Sequence, residues 1–156
     1  MATTITAVDL SVSITENYSL NNIQYGNTST KSFGDNSKVE QRIMEIPSKG
    51  GGEGTTWTGI LDLDTADSAG HIIKADFKYF RVTNLDDTEN FNLRLYNGVD
   101  YLILSILPSA SFVLMDASVD ATTTDSGVTF VDVTNIQGQS DSASAGVEIE
   151  FVAVTV

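Results

Sequence analysis

The alternation of apolar and polar residues is most regular between residues 75 and 116, where it predicts four β-strands separated by three turns. In the first strand, Phe80 and Val82 alternate with polar and charged neighbours. In the second, Phe91, Leu93 and Leu95 do the same. Because a period of two residues places these side chains on one face, we predict that this stretch is the centre of an antiparallel β-domain.

The third and fourth strands of this stretch have a different pattern. Residues 99–107 are apolar at both parities, which predicts a strand covered on both faces. The preceding Asn97-Gly98 pair predicts a type I′ hairpin turn, because both residues tolerate positive φ. Pro108 ends the third strand, and Phe112 begins the fourth.

The N-terminal third of the chain contains two shorter strand signals separated by a polar stretch. We predict a strand within residues 3–16, with a bulge near Val8 where the parity of the apolar positions changes. Residues 17–38 have no sustained period and are predicted to form a long polar loop or arm. Residues 39–46 are interpreted as a strand rather than a helix, since Pro47 closes a run of only two helical turns.

The remaining strands are predicted at residues 55–63, 128–134 and 146–156. Residues 135–145 are rich in Gln, Ser, Asp and Ala and are predicted to be a loop. In the last strand, alternate apolar positions predict a buried face, and its very end is apolar on both faces.

These patterns predict an all-β fold, a single antiparallel β-sandwich of jelly-roll type with about eight to ten strands and a long N-terminal loop or arm at residues 17–38. One domain over residues 1–156 is the simplest organisation for a chain of this length. The residues expected to be largely buried are Phe80, Val82, Leu93, Leu95, Leu102, Leu104, Phe112, Leu114, Ile149 and Phe151.

Charge and composition narrow the function classes. The formal net charge is −13, all eight Lys and Arg residues lie between positions 31 and 94, and residues 95–156 carry eight carboxylates without a cation. Such a surface repels phosphate backbones and anionic membranes, so neither nucleic acid nor membrane is expected as a partner. The chain has no cysteine, which excludes disulfides and thiolate metal sites. The first residues have neither a basic segment nor a continuous apolar core, so a cytosolic protein without a signal peptide is expected.

No set of residues predicts catalysis. His71 is the only histidine and is interpreted as a surface turn residue, and no nucleophile motif or nucleotide loop accompanies it. Asp62, Asp64 and Asp67 carry oxygen ligands suited to Ca²⁺, but their spacing is not that of an EF-hand loop, and a solvated strand end is favoured. The more dispersed set Asp116, Asp120 and Asp125 is interpreted in the same way.

Two further groups of residues each allow a functional and a purely structural interpretation. Glu148 and Glu150 are two residues apart on one strand face, a spacing compatible with the roughly 5–9.5 Å between the carboxyl groups of a glycosidase pair, but the outward polar face of a strand accounts for them. The aromatic residues Trp57, Tyr79, Tyr96 and Tyr101 form a sugar-stacking platform if they are exposed together. The parity that Trp57 shares with Leu61 and Leu63 favours a core position for Trp57 instead. We therefore predict that the protein is not an enzyme and needs no metal or cofactor.

Two segments resemble β-sandwich cement and decoration proteins of tailed bacteriophages. In residues 80–117 the order is strand, Asn-containing turn, Leu-alternating strand, Gly turn and strand, followed by the sequence LPSASFVL at 107–114. Ala110 stands where such proteins usually have Gly. Residues 146–156, GVEIEFVAVTV, are similar to the closing strand of those proteins.

The resemblance implies a structural role in the virion, assembled in the cytoplasm of a bacterial host. Such proteins bind the outside of the head, often as homotrimers, brace adjacent capsomers of the major capsid protein and need no cofactor. A carbohydrate- or receptor-binding sandwich of a tail or fibre is the alternative. We predict that the arm is ordered by contact with a sister subunit or the lattice, with Tyr25 and Phe33 as anchors. The basic middle of the chain is expected to supply further partner contacts, among them Arg42.

Overall fold

The protein is all-β over the residues that the computed structural model describes, which are 8–50, 57–64, 72–116, 120–121 and 130–156. No helix occurs in these ranges, and so none that could cross a membrane. The strands are β1 (Val8–Leu20), β2 (Ile23–Asn36), β3 (Lys38–Ile46), β4 (Thr58–Asp62), β5 (Phe77–Asn84), β6 (Phe91–Tyr96), β7 (Tyr101–Ile106), β8 (Ser111–Leu114), β9 (Asp120–Ala121), β10 (Phe130–Val131), β11 (Asn135–Ser140) and β12 (Val147–Thr155).

The chain divides into two compact units. The described residues up to Ser37, with Val156, form one unit, and Lys38–Thr155 form the second. The first is a two-stranded hairpin of β1 and β2, and the second is a sandwich of two four-stranded antiparallel sheets. The sequence predicts a single domain over residues 1–156, and in the structure the described residues form two compact units, a sandwich over Lys38–Thr155 and a hairpin.

The hairpin replaces the irregular loop that was predicted for residues 17–38. Strand β1 continues to Leu20, Asn21 and Asn22 take φ values of 51° and 64°, and β2 returns antiparallel from Ile23. Two consecutive positive φ values at a two-residue turn match the right-handed twist of the flanking strands. The segment predicted as a loop or arm therefore consists mainly of the end of β1, the hairpin turn and β2, which is paired with β1 over most of its length. The bulge predicted near Val8 is confirmed by a shift of register between Val8 and Leu10.

The sandwich is a rolled antiparallel ribbon. The β6–β7 hairpin lies at the centre of the ribbon, and the pairs β5–β8, β4–β11 and β3–β12 follow outward from it in that order. All four pairs are antiparallel. Because the ribbon is rolled up, β11 also pairs with β6, and β12 also pairs with β5. The resulting sheet orders, β4-β11-β6-β7 and β3-β12-β5-β8, define a jelly roll, so the predicted fold class is confirmed.

Inward side chains of both sheets form one core. Phe80, Phe91 and Phe151 are its largest fully buried side chains, and the rings of Phe80 and Phe151 lie 6.1 Å apart. Of the residues predicted to be buried, seven are confirmed: Phe80, Val82, Leu93, Leu95, Leu114, Ile149 and Phe151. Leu104 and Phe112 are partly buried and pack against this core. Leu102 is 44% exposed, so its predicted burial is wrong.

The error at Leu102 has a topological cause. Strand β7 lies at the edge of its sheet, so it has one neighbour rather than two. Its outward residues Tyr101 and Ile103 are exposed, as are Val99 and Leu107 at its ends. The prediction that this run is covered on both faces is therefore wrong for the chain by itself. An apolar edge strand of this kind favours contact with another molecule.

The turn between β6 and β7 also differs from its prediction. Four residues separate the strands, and only Gly98 among them has positive φ, at 94°. The side-chain oxygen of Asn97 accepts hydrogen bonds from the backbone N–H of Val99 and Asp100, at 2.9 and 2.6 Å. Asn97 thus stabilises a longer loop through its side chain instead of occupying a type I′ turn.

Strand β11 was predicted to be a loop, yet it is central in its sheet. It pairs with β4 on one side and β6 on the other, although only Ile136 among its six residues is a large apolar residue. Gly138 faces the core, where Phe91 and Ile46 occupy the space of its missing side chain. Backbone pairing on both sides stabilises a strand whose sequence has little β propensity.

Candidate functional site

The outer face of the β4-β11-β6-β7 sheet carries an aromatic and cationic cluster around Arg94. Strand alternation directs Arg94 and Tyr96 away from the core, because Leu93 and Leu95 face inward. The register places Tyr101 directly opposite Tyr96 and places Gln137 opposite Arg94. These side chains therefore share one face across three strands.

A β-bulge brings Trp57 to the same face. The register of β4 against β11 shifts between Ile136 and Gln137, so that Leu61 lies opposite Ile136 but Gly59 lies opposite Gln137. The extra residue is Ile60, which packs against the core as its neighbour Leu61 does. Without the bulge, Trp57 and Leu61 would lie on the same face of the sheet, but the extra residue places them on opposite faces. The predicted core position of Trp57 is therefore wrong.

The guanidinium of Arg94 contacts three aromatic rings. Its Cζ atom lies 4.4 Å from the ring centroid of Tyr96, 4.8 Å from that of Tyr101 and 5.3 Å from that of Trp57. Such distances are typical of cation–π contacts. Of the four aromatic residues considered for a sugar-stacking platform, Trp57, Tyr96 and Tyr101 surround this one guanidinium. The fourth, Tyr79, is buried in β5 of the other sheet.

The polar atoms at the centre of this cluster are incompletely paired. Arg94 makes no ion pair with a carboxylate of the described residues, whereas Arg42 pairs with Glu40 and Arg81 with Glu150, each at 2.8 Å. The Nε atom of Arg94 and the Oε1 atom of Gln137 are buried and have no hydrogen-bond partner among the described residues. A buried donor and a buried acceptor left unpaired cost about 1–3 kcal/mol each.

The second candidate surface is the apolar face of the hairpin. On this face, cross-strand pairs run from Leu10–Phe33 at the base through Tyr18–Tyr25 to Leu20–Ile23 at the tip. The opposite face is polar along its length, with Ser13 hydrogen-bonded to Thr30 at 2.9 Å and Thr15 to Thr28 at 3.1 Å. The first face is mainly apolar, although Glu16 and Asn27 form a polar pair between the base and the tip, whereas the second face has no large apolar side chain.

Exposure of this apolar face changes from base to tip. Phe33 at the base is buried, and the ammonium of Lys31 lies 5.4 Å from its ring centroid. Toward the tip, Ile14, Tyr18, Leu20, Ile23 and Tyr25 are between 42% and 60% exposed. The rings of Tyr18 and Tyr25 stack at 5.4 Å with an interplanar angle of 11°. The stack presents a flat aromatic surface to solvent, because an isolated two-stranded ribbon has no second layer to cover it.

The three predicted partner-binding residues lie in different units. Tyr25 and Phe33 belong to the hairpin, with Tyr25 exposed and Phe33 buried. Arg42 belongs to β3, an edge strand of the sandwich, where its side chain is 67% exposed and pairs with Glu40. Arg42 and Tyr25 are thus accessible to a partner, whereas Phe33 is buried.

The other residues singled out by sequence do not form a catalytic or metal-binding group where the structure describes them. Glu148 and Glu150 point outward from β12, and Glu150 is bound by Arg81 and by Gln41, whose amide nitrogen donates at 2.7 Å. Asp62 accepts a hydrogen bond from the backbone of Asp64 at 3.0 Å. Among the described residues, no three His, Asp or Glu side chains are placed to hold a metal ion. His71, Asp67 and Asp125 lie outside the described residues, as does the side chain of Asp120.

Two carboxylates have a lowered pKa, and both have structural partners. The pKa of Asp86 is lowered chiefly by hydrogen bonds from the backbone N–H groups of Glu89 and Thr88. The pKa of Asp141 is lowered first by its bond to Lys49 and then by its bond to Asn92. Asp86 also lines an open cleft with Glu45, Gly146 and Glu148. The hydrogen bonds named above explain both lowered pKa values, which therefore do not indicate acid–base chemistry.

Comparison with known proteins finds no matching family model, no matching curated protein and no matching solved structure.

Proposed function

We propose that this protein is a structural component of a tailed-bacteriophage particle, a cement or decoration protein that binds the outside of the head and braces adjacent capsomers. The single observation that supports this proposal best is the hairpin arm. A sandwich with its own closed core carries a separate ribbon whose apolar face is exposed toward the tip. A sandwich with its own core, joined to a ribbon with exposed apolar side chains, suits a protein that anchors to a surface and performs no chemistry.

The proposed partner is the major capsid protein, with a homotrimer as the proposed assembly in a virion formed in the bacterial cytoplasm. In this proposal the stacked rings of Tyr18 and Tyr25 are the central anchor, since exposed aromatic side chains contribute most when a partner desolvates them. The exposed Arg42 supplies a cation on the edge strand β3. Its role is in encounter and register, where charge complementarity acts most strongly.

The arm can be tested with two neighbouring residues of β2 that face opposite sides of the ribbon. Tyr25→Ser removes half of the aromatic stack, whereas Gln24→Ser changes the polar face one residue away. We expect Tyr25→Ser to weaken binding to purified heads that lack this protein by about 30-fold or more, as for a hot-spot residue. Gln24→Ser is expected to bind like the wild type.

Hydrogen exchange measured on the free and head-bound protein separates loss of contact from loss of the hairpin itself. Amides of residues 8–37 should gain protection on binding, and Tyr25→Ser should keep β-hairpin exchange behaviour in the free state. Equal protection of the arm in the two states would refute its proposed role. Head binding that is insensitive to both salt and Arg42→Glu would refute the role of Arg42.

A second candidate function is supported by a different observation. Three aromatic side chains converge on the outer face of one sheet, an arrangement suited to stacking against the apolar face of a sugar ring. The candidate is a carbohydrate-binding sandwich of a tail or fibre. A glycan array that detects binding by the wild type but not by Trp57→Ala would favour it over the cement role.

A further inference from the structure

We infer that the outer face of the β4-β11-β6-β7 sheet binds a sugar that carries a carboxylate, with Arg94 as the carboxylate-binding group. The inference rests on the second candidate function above and specifies the ligand class. It is carried by the convergence of Trp57, Tyr96 and Tyr101 on the guanidinium and by the unpaired polar atoms of Arg94 and Gln137.

The charge environment of Arg94 favours an anionic ligand. The sequence contains 21 acidic residues and three arginines, and Arg42 and Arg81 each pair with a carboxylate. Arg94 pairs with none in the described part of the chain, although acidic residues are abundant. The N–H donors of a guanidinium lie in its plane and form a fork that can bind a carboxylate through two hydrogen bonds, and an aromatic ring that stacks on a face of the guanidinium does not use these donors.

The aromatic residues favour a ring-shaped ligand over a free anion. Trp57, which directly precedes β4, and Tyr101 of β7 lie near the guanidinium, and each is at least partly exposed. Aromatic faces bind the apolar C–H face of a pyranose while the charged substituent at the ring edge reaches the arginine. A small inorganic anion would use the arginine but would gain nothing from these rings.

Gln137 provides the second polar function that a sugar requires. Its buried Oε1 is an acceptor, and the Nε of Arg94 is a donor, so the site offers both kinds of hydrogen bond. A carboxylated sugar presents acceptor oxygens and donor hydroxyls on adjacent ring carbons. A fully ionised sulfate or phosphate presents acceptors alone and would leave Gln137 unpaired.

The surroundings of these atoms provide room for a ligand. Gly59 lies opposite Gln137, and a side chain at Gly59 would meet no atom within 4 Å. Tyr101, whose ring centroid lies 4.8 Å from Arg94 Cζ, is 59% exposed on the edge strand, so a ligand that approaches Arg94 from this edge meets an exposed side chain rather than a packed one. The hydrogen bonds formed there offset the cost of leaving both atoms unpaired.

Isothermal titration of the purified protein tests the inference with two matched ligand pairs. One pair is an oligogalacturonate and its carboxyl-reduced neutral form, and the other is sialyllactose and lactose. At least one acidic ligand should bind about 10-fold or more tightly than its neutral match, the factor expected for a charged hydrogen bond. The pair that shows the preference distinguishes a uronic acid from a sialic acid.

Variants of the site and a charge-matched control complete the experiment. Arg94→Gln should abolish the preference for the acidic ligand, and Arg94→Lys should lose most of it because an ammonium cannot form the planar fork. Gly59→Val should block the site while leaving Arg94 in place. Arg42→Gln makes the same change of charge on the other sheet and should bind as the wild type does.

The outcomes separate this inference from the function on which it rests. Equal binding of acidic and neutral sugars would overturn the carboxylate site and leave carbohydrate binding in place. Absence of binding to all four ligands would overturn both. A loss of affinity in Arg42→Gln equal to that in Arg94→Gln would show nonspecific attraction and overturn the site. Should Arg94→Gln fail to fold, unchanged acidic-sugar affinity in Gly59→Val would overturn it.

Discussion

Asp86 organises the loop between β5 and β6 through one carboxylate oxygen. Its Oδ1 accepts hydrogen bonds from the backbone N–H of Thr88 at 2.8 Å and Glu89 at 2.9 Å, and from the Thr88 hydroxyl at 3.0 Å. Beside it, the buried Asn84 donates to the carbonyls of Glu89 and Ile106 and accepts from the N–H of Asp86. Side chains thus satisfy backbone groups that no strand pairs.

Replacement of Asp86 by Asn should make the stability difference from the wild type depend on pH. The pKa of Asp86 in the folded protein lies below its ordinary value of 3.8, since hydrogen bonds from Glu89 and Thr88 favour the charged form. The carboxylate therefore stabilises the fold above pH 3.8, and this contribution is lost as the pH falls through the lowered pKa. Urea denaturation at a series of pH values should show the wild type more stable at pH 7 and the two proteins converging in acid.

Asp87→Asn is the matched control for this measurement. Asp87 is the adjacent exposed carboxylate and does not accept these three hydrogen bonds. Its substitution changes the net charge equally and should not reproduce the pH-dependent difference. A wild-type advantage over Asp86→Asn that persists unchanged to the lowest pH would contradict the assignment.

At the level of secondary-structure elements, the paired strands β4 and β11 belong to a sheet that has one face toward the core and the other toward solvent. The bulge at Ile60 directs consecutive residues Ile60 and Leu61 toward the core and leaves Gly59 on the outer face. In β11, Gln137 faces outward and Gly138 faces the core. The two glycines therefore lie near each other in the sheet but on opposite faces.

The same substitution at these two glycines should have opposite consequences. A Cβ atom at Gly138 would lie 2.6 Å from Cε2 of Phe91 and 3.2 Å from Cδ1 of Ile46, so Gly138→Ala should destabilise the protein by about 1–3 kcal/mol. Gly59→Ala meets no atom within 4 Å and should be neutral or stabilising by up to about 1 kcal/mol, because alanine restricts the unfolded chain. Chemical denaturation of both variants measures these changes. Similar losses at the two sites would contradict the inward and outward assignments.

At the scale of the whole molecule, the hydrophobic core lies entirely within the sandwich. All buried residues of the core cluster fall between Ile46 and Ala153, and both sheets contribute to it. The hairpin contributes none of them and forms a compact unit of its own. Because a domain needs a closed core rather than the complete chain, the sandwich has the means to fold alone.

A chain that begins at Lys38 should therefore keep the jelly roll. We expect cooperative denaturation, a β-type circular dichroism spectrum and loss of head binding together with the arm. Leu93→Ala in this shortened chain is the control for the core. Leu93 is fully buried, so its truncation should cost about 2–5 kcal/mol. A shortened chain that shows no cooperative transition would demonstrate that the hairpin is required for folding.

The sequence alone determined which residues form most strands and which of their faces are inward. Phe80, Val82, Leu93 and Leu95 are buried as their alternation predicts, because a period of two is a local property of extended backbone. The bulge near Val8 was predictable for the same reason. The aromatic residues Tyr96 and Tyr101 were recognisable as candidates from residue type and strand position.

Only the tertiary structure decided which strands are neighbours, and the site depends on that. Strand β7 is an edge strand although its sequence resembles a covered one, and polar β11 is central because backbone pairing on both sides stabilises it. The bulge that turns Trp57 outward is a property of the β4–β11 register. Arg94 of β6 meets Trp57, which precedes β4, across the intervening strand β11. The pattern of each strand specifies a face but not a neighbour, so pairing between strands so far apart in sequence follows from the rolled ribbon as a whole.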